Sequence, residues 1–231
     1  MPLQSGKIKG VADVVFCVDC TQSMDPCISE LKTQIETFAG GLSKPASSNE
    51  RPVDWRLKIL GFRDLNADAN PWVNLDATMV NSVADAQKQV AALAAEGGGD
   101  DPESALDAVW YAATQTPWRD NCTKVVVLFS DQTSLEMMHP STVAKGAVGN
   151  DVSAVKQALA ERGIYLYAWA MACPVWEQLK STPKTVFTPV SGADGLKSVD
   201  FKSLLTTLAK TVSNVSAVGC AGGIGKTAVI S

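Results

Sequence analysis

The sequence predicts an α/β fold in which a mainly parallel β-sheet is covered by helices on both faces. Two runs of apolar and largely β-branched residues, 14–18 and 124–129, are typical of strands buried on both faces of such a sheet. Segments with helical spacing of apolar residues alternate with the strand-like segments along the chain. Because parallel strands joined through helices need right-handed crossovers, we expect one sheet between two helical layers.

Six segments are predicted to form the strands. The first, Val14–Val18, stops abruptly at Asp19. The third is shorter and more polar than the others, which is typical of an edge strand. The full set covers residues 14–18, 54–64, 72–80, 124–129, 164–171 and 185–190.

The predicted helices lie between these strands. The first follows Ser23 and is expected to end at Gly40-Gly41. Asn81 is expected to cap the second, which ends at the glycines 97–99, and the third has Pro102 and Glu103 in its first turn. The remaining helices are predicted around residues 152–163, 175–179 and 201–212.

Length and composition favour one domain. The 231 residues are 46% hydrophobic and 19% charged, without an internal repeat or a long linker, and the expected domain covers residues 11–216 between an N-terminal tail (1–10) and a flexible C-terminal tail (217–231). The net charge of −4 comes from interspersed acids and bases, so nucleic acid is not an expected partner. The N-terminal residues lack the apolar region of a signal peptide, and no apolar run reaches the ~18–20 residues of a membrane span.

The six cysteines are scattered through the chain, and several fall in or beside predicted strands. Free, buried thiols of this kind are typical of a reducing compartment, so we expect a cytoplasmic location. Cys17-x-x-Cys20 has the spacing of a redox or zinc pair, but no second pair follows, and packing is the simpler interpretation. The positions are 17, 20, 27, 122, 173 and 220.

Acidic turns follow the two most apolar strands. Asp19, Thr21 and Ser23 come directly after the first, and Asp131 comes directly after the strand 124–129. Both strands are expected at the centre of the sheet, where ligands bind at the carboxyl ends. Asp100 follows three glycines that allow a close approach of its loop to the same edge. Taken alone, Asp19 and Thr21 are equally well explained as helix N-caps.

These side chains together favour a divalent cation. Carboxylate and hydroxyl oxygens suit Mg²⁺, Ca²⁺ or Mn²⁺ and do not suit zinc. Three carboxylates meeting in one crevice would also repel each other strongly without a cation. We therefore predict a metal site, with Mg²⁺ as the expected ion.

Three motifs in this order resemble one family. Asp19-x-Thr21-x-Ser23, the Gly-Gly-Gly-Asp-Asp-Pro-Glu segment containing Asp100, and Asp131 after Val-Val-Val-Leu-Phe-Ser resemble the metal-ion-dependent adhesion site (MIDAS) of von Willebrand factor type A domains. The resemblance covers residues 11–215 and is greatest to the intracellular microbial branch, which includes the domains associated with alpha-type kinases.

The resemblance implies a fold and a function. The fold is a Rossmann-like three-layer αβα sandwich whose six-stranded, mainly parallel sheet has one antiparallel edge strand. The implied function is metal-dependent binding of another protein rather than catalysis. Within that family, an acidic residue of the partner completes the metal shell.

Two positions depart from the family pattern. Thr21 replaces a serine and keeps the hydroxyl, whereas Asp100 replaces the usual threonine. If Asp19, Asp100 and Asp131 all bind directly, their charge of −3 exceeds the +2 of the ion. Either one of them binds through water, or the ion is mainly structural.

The chain is thus expected to be a metal-binding module that mediates assembly or signalling complexes and is not an enzyme. Two alternatives remain at this stage. One is a Mg²⁺-dependent enzyme that handles phosphate groups, because acids around Mg²⁺ at strand ends also serve phosphotransfer. The other is a scaffold whose metal is purely structural. Arg63 and Asp64 either lie beside the metal loop or form a local ion pair.

Overall fold

Six strands form one sheet in the computed structural model, which describes residues 10–43, 53–98, 101–190 and 195–221. The strand order is β3-β2-β1-β4-β5-β6, and only β3 runs antiparallel to its neighbour. This confirms the predicted fold class. The strands are β1 (Gly10–Asp19), β2 (Val53–Phe62), β3 (Trp72–Val73), β4 (Thr123–Phe129), β5 (Tyr165–Met171) and β6 (Thr185–Val190).

Helices cover both faces of this sheet. α1, α2 and α7 pack on one face, and α3, α5 and α6 pack on the other. Single 3₁₀ turns at Gln22–Met24 and Gly195–Ser198 precede α1 and α7. The helices are α1 (Asp25–Ser43), α2 (Val83–Ala91), α3 (Ala105–Gln115), α4 (Pro140–Val143), α5 (Val152–Arg162), α6 (Pro174–Leu179) and α7 (Phe201–Ala221).

Strand β1 lies at the centre of the sheet and contributes to two separate cores. Phe16 packs on one face against Phe38 and Phe129, with ring centroids 5.1 and 6.1 Å away. Cys17 faces the other core, and both residues are fully buried. Because each face is covered, β1 is continuously apolar from Val14 to Val18 rather than alternating. Cys20 belongs to the same core as Phe16, so Cys17 and Cys20 lie on opposite faces and serve packing.

Helix α1 does not end at Gly40-Gly41, as predicted, but continues to Ser43. A Cβ atom on Gly41 would lie 3.2 Å from the Cβ of Ala209 in α7. The glycine therefore allows two helices to approach closely and does not terminate the first one.

Strand β3 is much shorter than the predicted segment 72–80, although its edge position is confirmed. It ends at Val73, and the next residue, Asn74, has a φ of 59° in the left-handed region. Pairing resumes only at one antiparallel bridge, where Leu57 and Val80 exchange hydrogen bonds of 2.7 Å.

The starts of two helices also differ from the prediction. Ser82, not Asn81, caps α2, because its hydroxyl accepts a hydrogen bond from the Asp85 amide. Pro102 and Glu103 precede α3 instead of forming its first turn. Glu103 pairs with the loop after β4, since its amide donates to Thr133 and its carbonyl accepts from Leu135.

Two further boundaries are observed. Helix α2 ends at Ala91, so the chain reaches Gly97 and Gly98 through a segment without regular secondary structure. Helix α7 runs to Ala221, past the predicted domain end at 216. Within the described ranges, none of the helices has the length and apolar character that crossing a membrane requires.

A buried ionic cluster joins the first strands at the amino edge of the sheet. Asp13 is fully buried. Arg56 from β2 donates to both of its carboxylate oxygens at 3.0 and 2.6 Å, and Arg119 donates to them from its side chain and its amide at 2.9 and 2.8 Å. Burial alone would raise the pKa of Asp13, but these hydrogen bonds and the two guanidinium charges lower it below the ordinary value.

We predict that Asp13→Asn lowers the free energy of unfolding by about 3 kcal/mol at neutral pH, because both arginines lose their carboxylate. Since the folded-state pKa of Asp13 is depressed, its contribution is fully present above the unfolded value of 3.8 and is lost as the pH falls through the folded value. Urea unfolding at several pH values should therefore show the difference between wild type and variant shrinking below about pH 4. A difference that stays constant with pH would contradict this account.

Candidate metal centre

The carboxyl ends of β1 and β4 lie side by side and carry the predicted acidic residues. Val18 pairs with Phe129 in the parallel register, so the next residues of the two strands, Asp19 and Ser130, are neighbours. Asp131 follows directly. The structure therefore brings the loops after the two buried strands to one edge, as the sequence predicts.

Asp19 is fully buried, and both of its carboxylate oxygens are held. Oδ1 accepts from the amide and the hydroxyl of Thr21 at 2.9 and 2.7 Å. Oδ2 accepts from the hydroxyl of Ser130 at 2.7 Å. Burial raises the pKa of Asp19 to about 6, the charge of Asp131 adds to the rise, and the hydrogen bonds from Ser130 and Thr21 oppose it.

The second half of the site is a contact between the two loops. The Ser23 hydroxyl donates to Asp131 Oδ1 at 2.9 Å, and the hydroxyl oxygens of Thr21 and Ser23 are 3.5 Å apart. Four of the five predicted metal ligands are thus brought together: Asp19, Thr21, Ser23 and Asp131.

The fifth predicted ligand, Asp100, lies outside the described residues. The residues before it approach the first loop: the Gln22 amide donates to the Gly97 carbonyl at 3.2 Å, and a Cβ on Gly98 would lie 2.7 Å from the Thr21 Cβ. Beyond it, Asp101 accepts from the amide and the hydroxyl of Thr133 at 3.0 and 2.7 Å. The described neighbours of the third acidic turn therefore contact both metal loops.

The donor set fits a hard divalent cation. Around Mg²⁺, ligand distances of about 2.0–2.1 Å place neighbouring oxygens about 2.9 Å apart, and around Ca²⁺ somewhat further. The separations of 2.7, 2.9 and 3.5 Å among the carboxylate and hydroxyl oxygens of the four residues are of this size. No cluster of three or more His, Cys, Asp or Glu side chains suited to a metal occurs in the described part of the chain. The predicted donors within that part are two carboxylates and two hydroxyls, so they do not form such a cluster.

Sequence reasoning missed the role of Ser130. Its hydroxyl donates to Asp19 and accepts from the Gln132 amide at 3.2 Å, so it fixes the buried carboxylate and the start of the second loop together. The available signal was a hydroxyl residue directly before Asp131 at the end of a buried strand.

Arg63 and Asp64 do not form the local ion pair that was one alternative. The Arg63 guanidinium donates to three backbone carbonyls, and the carboxylate that it meets, Glu96, is 3.7 Å away. Asp64 accepts from the Asn66 amide and the Ser104 hydroxyl. Arg63 lies beside the metal loop, because one of its carbonyl partners belongs to Cys20.

The loop after the site contains the only histidine of the chain. The His139 side chain caps α4 by accepting from the Ser141 amide, and its own amide donates to Asp107. Met137 is 51% exposed, whereas Met138 is buried.

We predict that Gly98→Ala destabilises the site loops, because the new Cβ would overlap Thr21 and the φ of +73° is unfavourable for alanine. Gly146→Ala is a matched control, since Gly146 also has a positive φ (+107°) but nothing lies within 4 Å of the added atom. In urea unfolding, Gly98→Ala should cost about 1–3 kcal/mol more than the control. Equal costs would mean that the Gly98 contact with Thr21 is unimportant.

Comparison with known proteins identifies the family. Residues 13–210 match the family profile of the von Willebrand factor type A domain. A curated relative is the alpha-protein kinase vwkA of Dictyostelium discoideum, which is 28% identical over 119 residues. The match covers 52% of this chain but 18% of that kinase, so the chain spans less than a fifth of its length.

Solved structures share the fold. BatB from Bacteroides thetaiotaomicron superposes with a TM-score of 0.55 at 12% identity, covering 89% of this chain and 98% of that one. Proximal thread matrix protein 1 from the mussel byssus, solved with a zinc-occupied MIDAS motif, gives 0.52 at 16% identity, covering 92% and 46%. With the family profile matched over most of its length, the chain belongs to the von Willebrand factor type A domain family.

Proposed function

We propose that this chain is a protein-interaction module whose contact with its partner depends on a divalent cation held by Asp19, Thr21, Ser23 and Asp131, with Asp100 as a further ligand. The observation that carries the proposal is the linked set of hard oxygen donors from two loops, which the Ser23–Asp131 contact joins. Domains of this family are generally interaction modules rather than enzymes, and a structural neighbour carries an occupied MIDAS motif.

In this proposal the four described residues have distinct roles. Asp19 lies at the bottom of the site and is fixed by Ser130, so its position does not depend on solvent. The hydroxyls of Thr21 and Ser23 donate their protons to the two carboxylates, which leaves their oxygen lone pairs available to a cation. A bound ion would supply positive charge for an anionic group of the partner.

The charge of the ligands decides what the ion can bind. Asp19 and Asp131 alone would balance the +2 of the cation, and a directly bound Asp100 would exceed it. We propose that Asp100 binds through water, which leaves the ion able to accept an acidic side chain of the partner. Mg²⁺ is the proposed ion because the donors are hard oxygens. The neighbour with zinc at its MIDAS makes zinc the necessary comparison in any binding experiment.

An apolar cleft beside the site offers a second contact. Its volume is about 600 Å³, and Thr133, Met137 and Cys173 contribute to its walls. Thr133 is two residues from Asp131 and is bonded to Asp101, so the cleft and the metal loops share backbone. A partner that reaches the cation would meet this cleft, and the exposed Met137 suits an adaptable protein contact.

A phosphate-handling enzyme is less well supported by the described residues. The Cys20 side chain packs in the core against Gly61 and not in the site, and the Arg63 guanidinium is engaged by carbonyls. Neither supplies a free cation or base beside Asp19.

The cytoplasmic location that we propose accords with the buried, unpaired thiols of Cys17, Cys20 and Cys27.

Thermal unfolding tests the metal part of the proposal. Because an ion that binds only the folded state stabilises it, Mg²⁺ at about 100 times its Kd should raise the Tm of wild type by roughly 5 °C relative to EDTA. Asp19→Asn keeps the shape of the side chain but removes a ligand charge, and it should abolish the shift. Asp120→Asn, an exposed substitution before β4 at the opposite edge of the sheet, is the matched control and should leave the shift unchanged.

The partner contact is tested in the same preparations with acetate and its neutral analogue, acetamide. Amide signals of Ser23 and Gln132 in NMR spectra should move on acetate addition with Mg²⁺ present, and should not move with EDTA or with acetamide. Equal acetate effects with and without metal would refute metal-dependent recognition of an acidic group. A Tm shift without any acetate effect would leave a structural ion instead.

A further inference from the structure

A buried arginine joins the loops from which the metal centre is built. Arg63 directly follows β2, and its side chain is only 7% exposed. Its Nε, Nη1 and Nη2 atoms donate to the carbonyls of Cys20, Asn70 and Ala94 at 3.0, 2.7 and 3.0 Å. These carbonyls belong to three different loops at the carboxyl edge of the sheet.

Two of the three loops carry or lead to metal ligands. Cys20 lies between Asp19 and Thr21, and Ala94 lies in the irregular segment that leads to Gly97 and Gly98. The same two segments also pair directly: the Glu96 amide donates to the Cys20 carbonyl at 2.9 Å, and the Gln22 amide donates to the Gly97 carbonyl at 3.2 Å. The Cys20 carbonyl thus accepts from both Arg63 and Glu96.

The geometry requires a guanidinium. A planar fork reaches three carbonyls in different directions, whereas a lysine ammonium on a flexible stem cannot satisfy them together. The ion pair with Glu96 contributes little, because the oxygen is 3.7 Å away and the Glu96 side chain is 73% exposed. The contacts that matter are those with the backbone.

We infer that Arg63 is a positioning residue for the metal centre: its guanidinium fixes the loop of Asp19, Thr21 and Ser23 against the segment that leads to Asp100. Its described hydrogen bonds go to backbone carbonyls and not to the side chains of Asp19, Thr21, Ser23 or Asp131, so it acts through the backbone between them. This inference rests on the proposed function, since it concerns the affinity of the same site for its ion.

The test compares two arginines that each donate to backbone carbonyls from more than one segment of the chain. Arg63→Lys keeps the positive charge but loses the planar guanidinium with its several N–H donors. Arg119→Lys is the matched control, because Arg119 also donates to backbone carbonyls, those of Ala12 and Asp54, but at the opposite edge of the sheet. The Kd for Mg²⁺ is measured by calorimetry in each variant, and the Tm in EDTA reports the loss of stability.

Both variants should lower the Tm in EDTA, but only Arg63→Lys should weaken Mg²⁺ binding, by about tenfold or more, as removal of residues that support metal ligands does. Arg119→Lys should keep the wild-type Kd within about twofold. Wild-type affinity in Arg63→Lys, or an equal loss in Arg119→Lys, would overturn the inference. Absence of Mg²⁺ binding in wild type would instead refute the proposed function, and the inference with it.

Hydrogen exchange in wild type provides a second measurement if Arg63→Lys does not fold. If Arg63 holds these two segments together, the amides of Gln22 and Glu96 should be protected together without metal, because both pair the segments that Arg63 joins. Exchange of these amides at unprotected rates, while the β1 amides stay protected, would overturn the inference.

Discussion

The carboxyl edge of this domain depends on a carboxylate that is buried at the end of the central strand. Asp19 has no exposure to solvent, and an isolated charge in that position would be strongly destabilising. The hydrogen bonds from Thr21 and Ser130 offset part of this cost, and they do so from two different loops. The need to satisfy one buried group therefore brings the ends of β1 and β4 into a fixed relation, from which the contact between Ser23 and Asp131 follows.

A buried carboxylate is stabilised in a different way at each edge of the sheet. At the amino edge, Asp13 is bound by Arg56 and Arg119, and its pKa falls. At the carboxyl edge, the donors to Asp19 in the described part of the chain are neutral, and burial raises its pKa to about 6. These hydrogen bonds hold the Asp19 carboxylate in place without neutralising its charge, so it can still bind a cation. The positive charge of Arg63 is nearby, but it is directed to backbone carbonyls.

Sequence patterns predicted the parts of this structure that depend on local chemistry. The buried strands were identified because Val14–Val18 and residues 124–129 are apolar throughout. The proximity of four polar residues was expected because they follow those strands: Asp19, Thr21, Ser23 and Asp131. The fold and its antiparallel edge strand agree with the family resemblance. The division into a domain and two tails, and the roles of Asp19, Thr21, Ser23, Asp100 and Asp131 as metal ligands, stay predictions.

Features set by distant contacts could not be predicted in this way. Gly41 looked like the end of α1, and only its neighbour Ala209 in α7 shows why a glycine is needed within the helix. Ser130 was overlooked because its partner, Asp19, is 111 residues away. The partners of Arg63 are backbone carbonyls, which every residue has, so no pattern of side chains in the sequence indicates which segments it joins.

The most direct test of a cation site between the loops of β1 and β4 is a crystal structure with Mn²⁺, whose anomalous scattering locates the ion. The account predicts one strong anomalous peak within about 2.5 Å of the Ser23 hydroxyl oxygen, with Thr21 and Asp131 beside it and Asp19 beneath. A peak elsewhere on the molecule, or none at a Mn²⁺ concentration that stabilises the protein in solution, would contradict it.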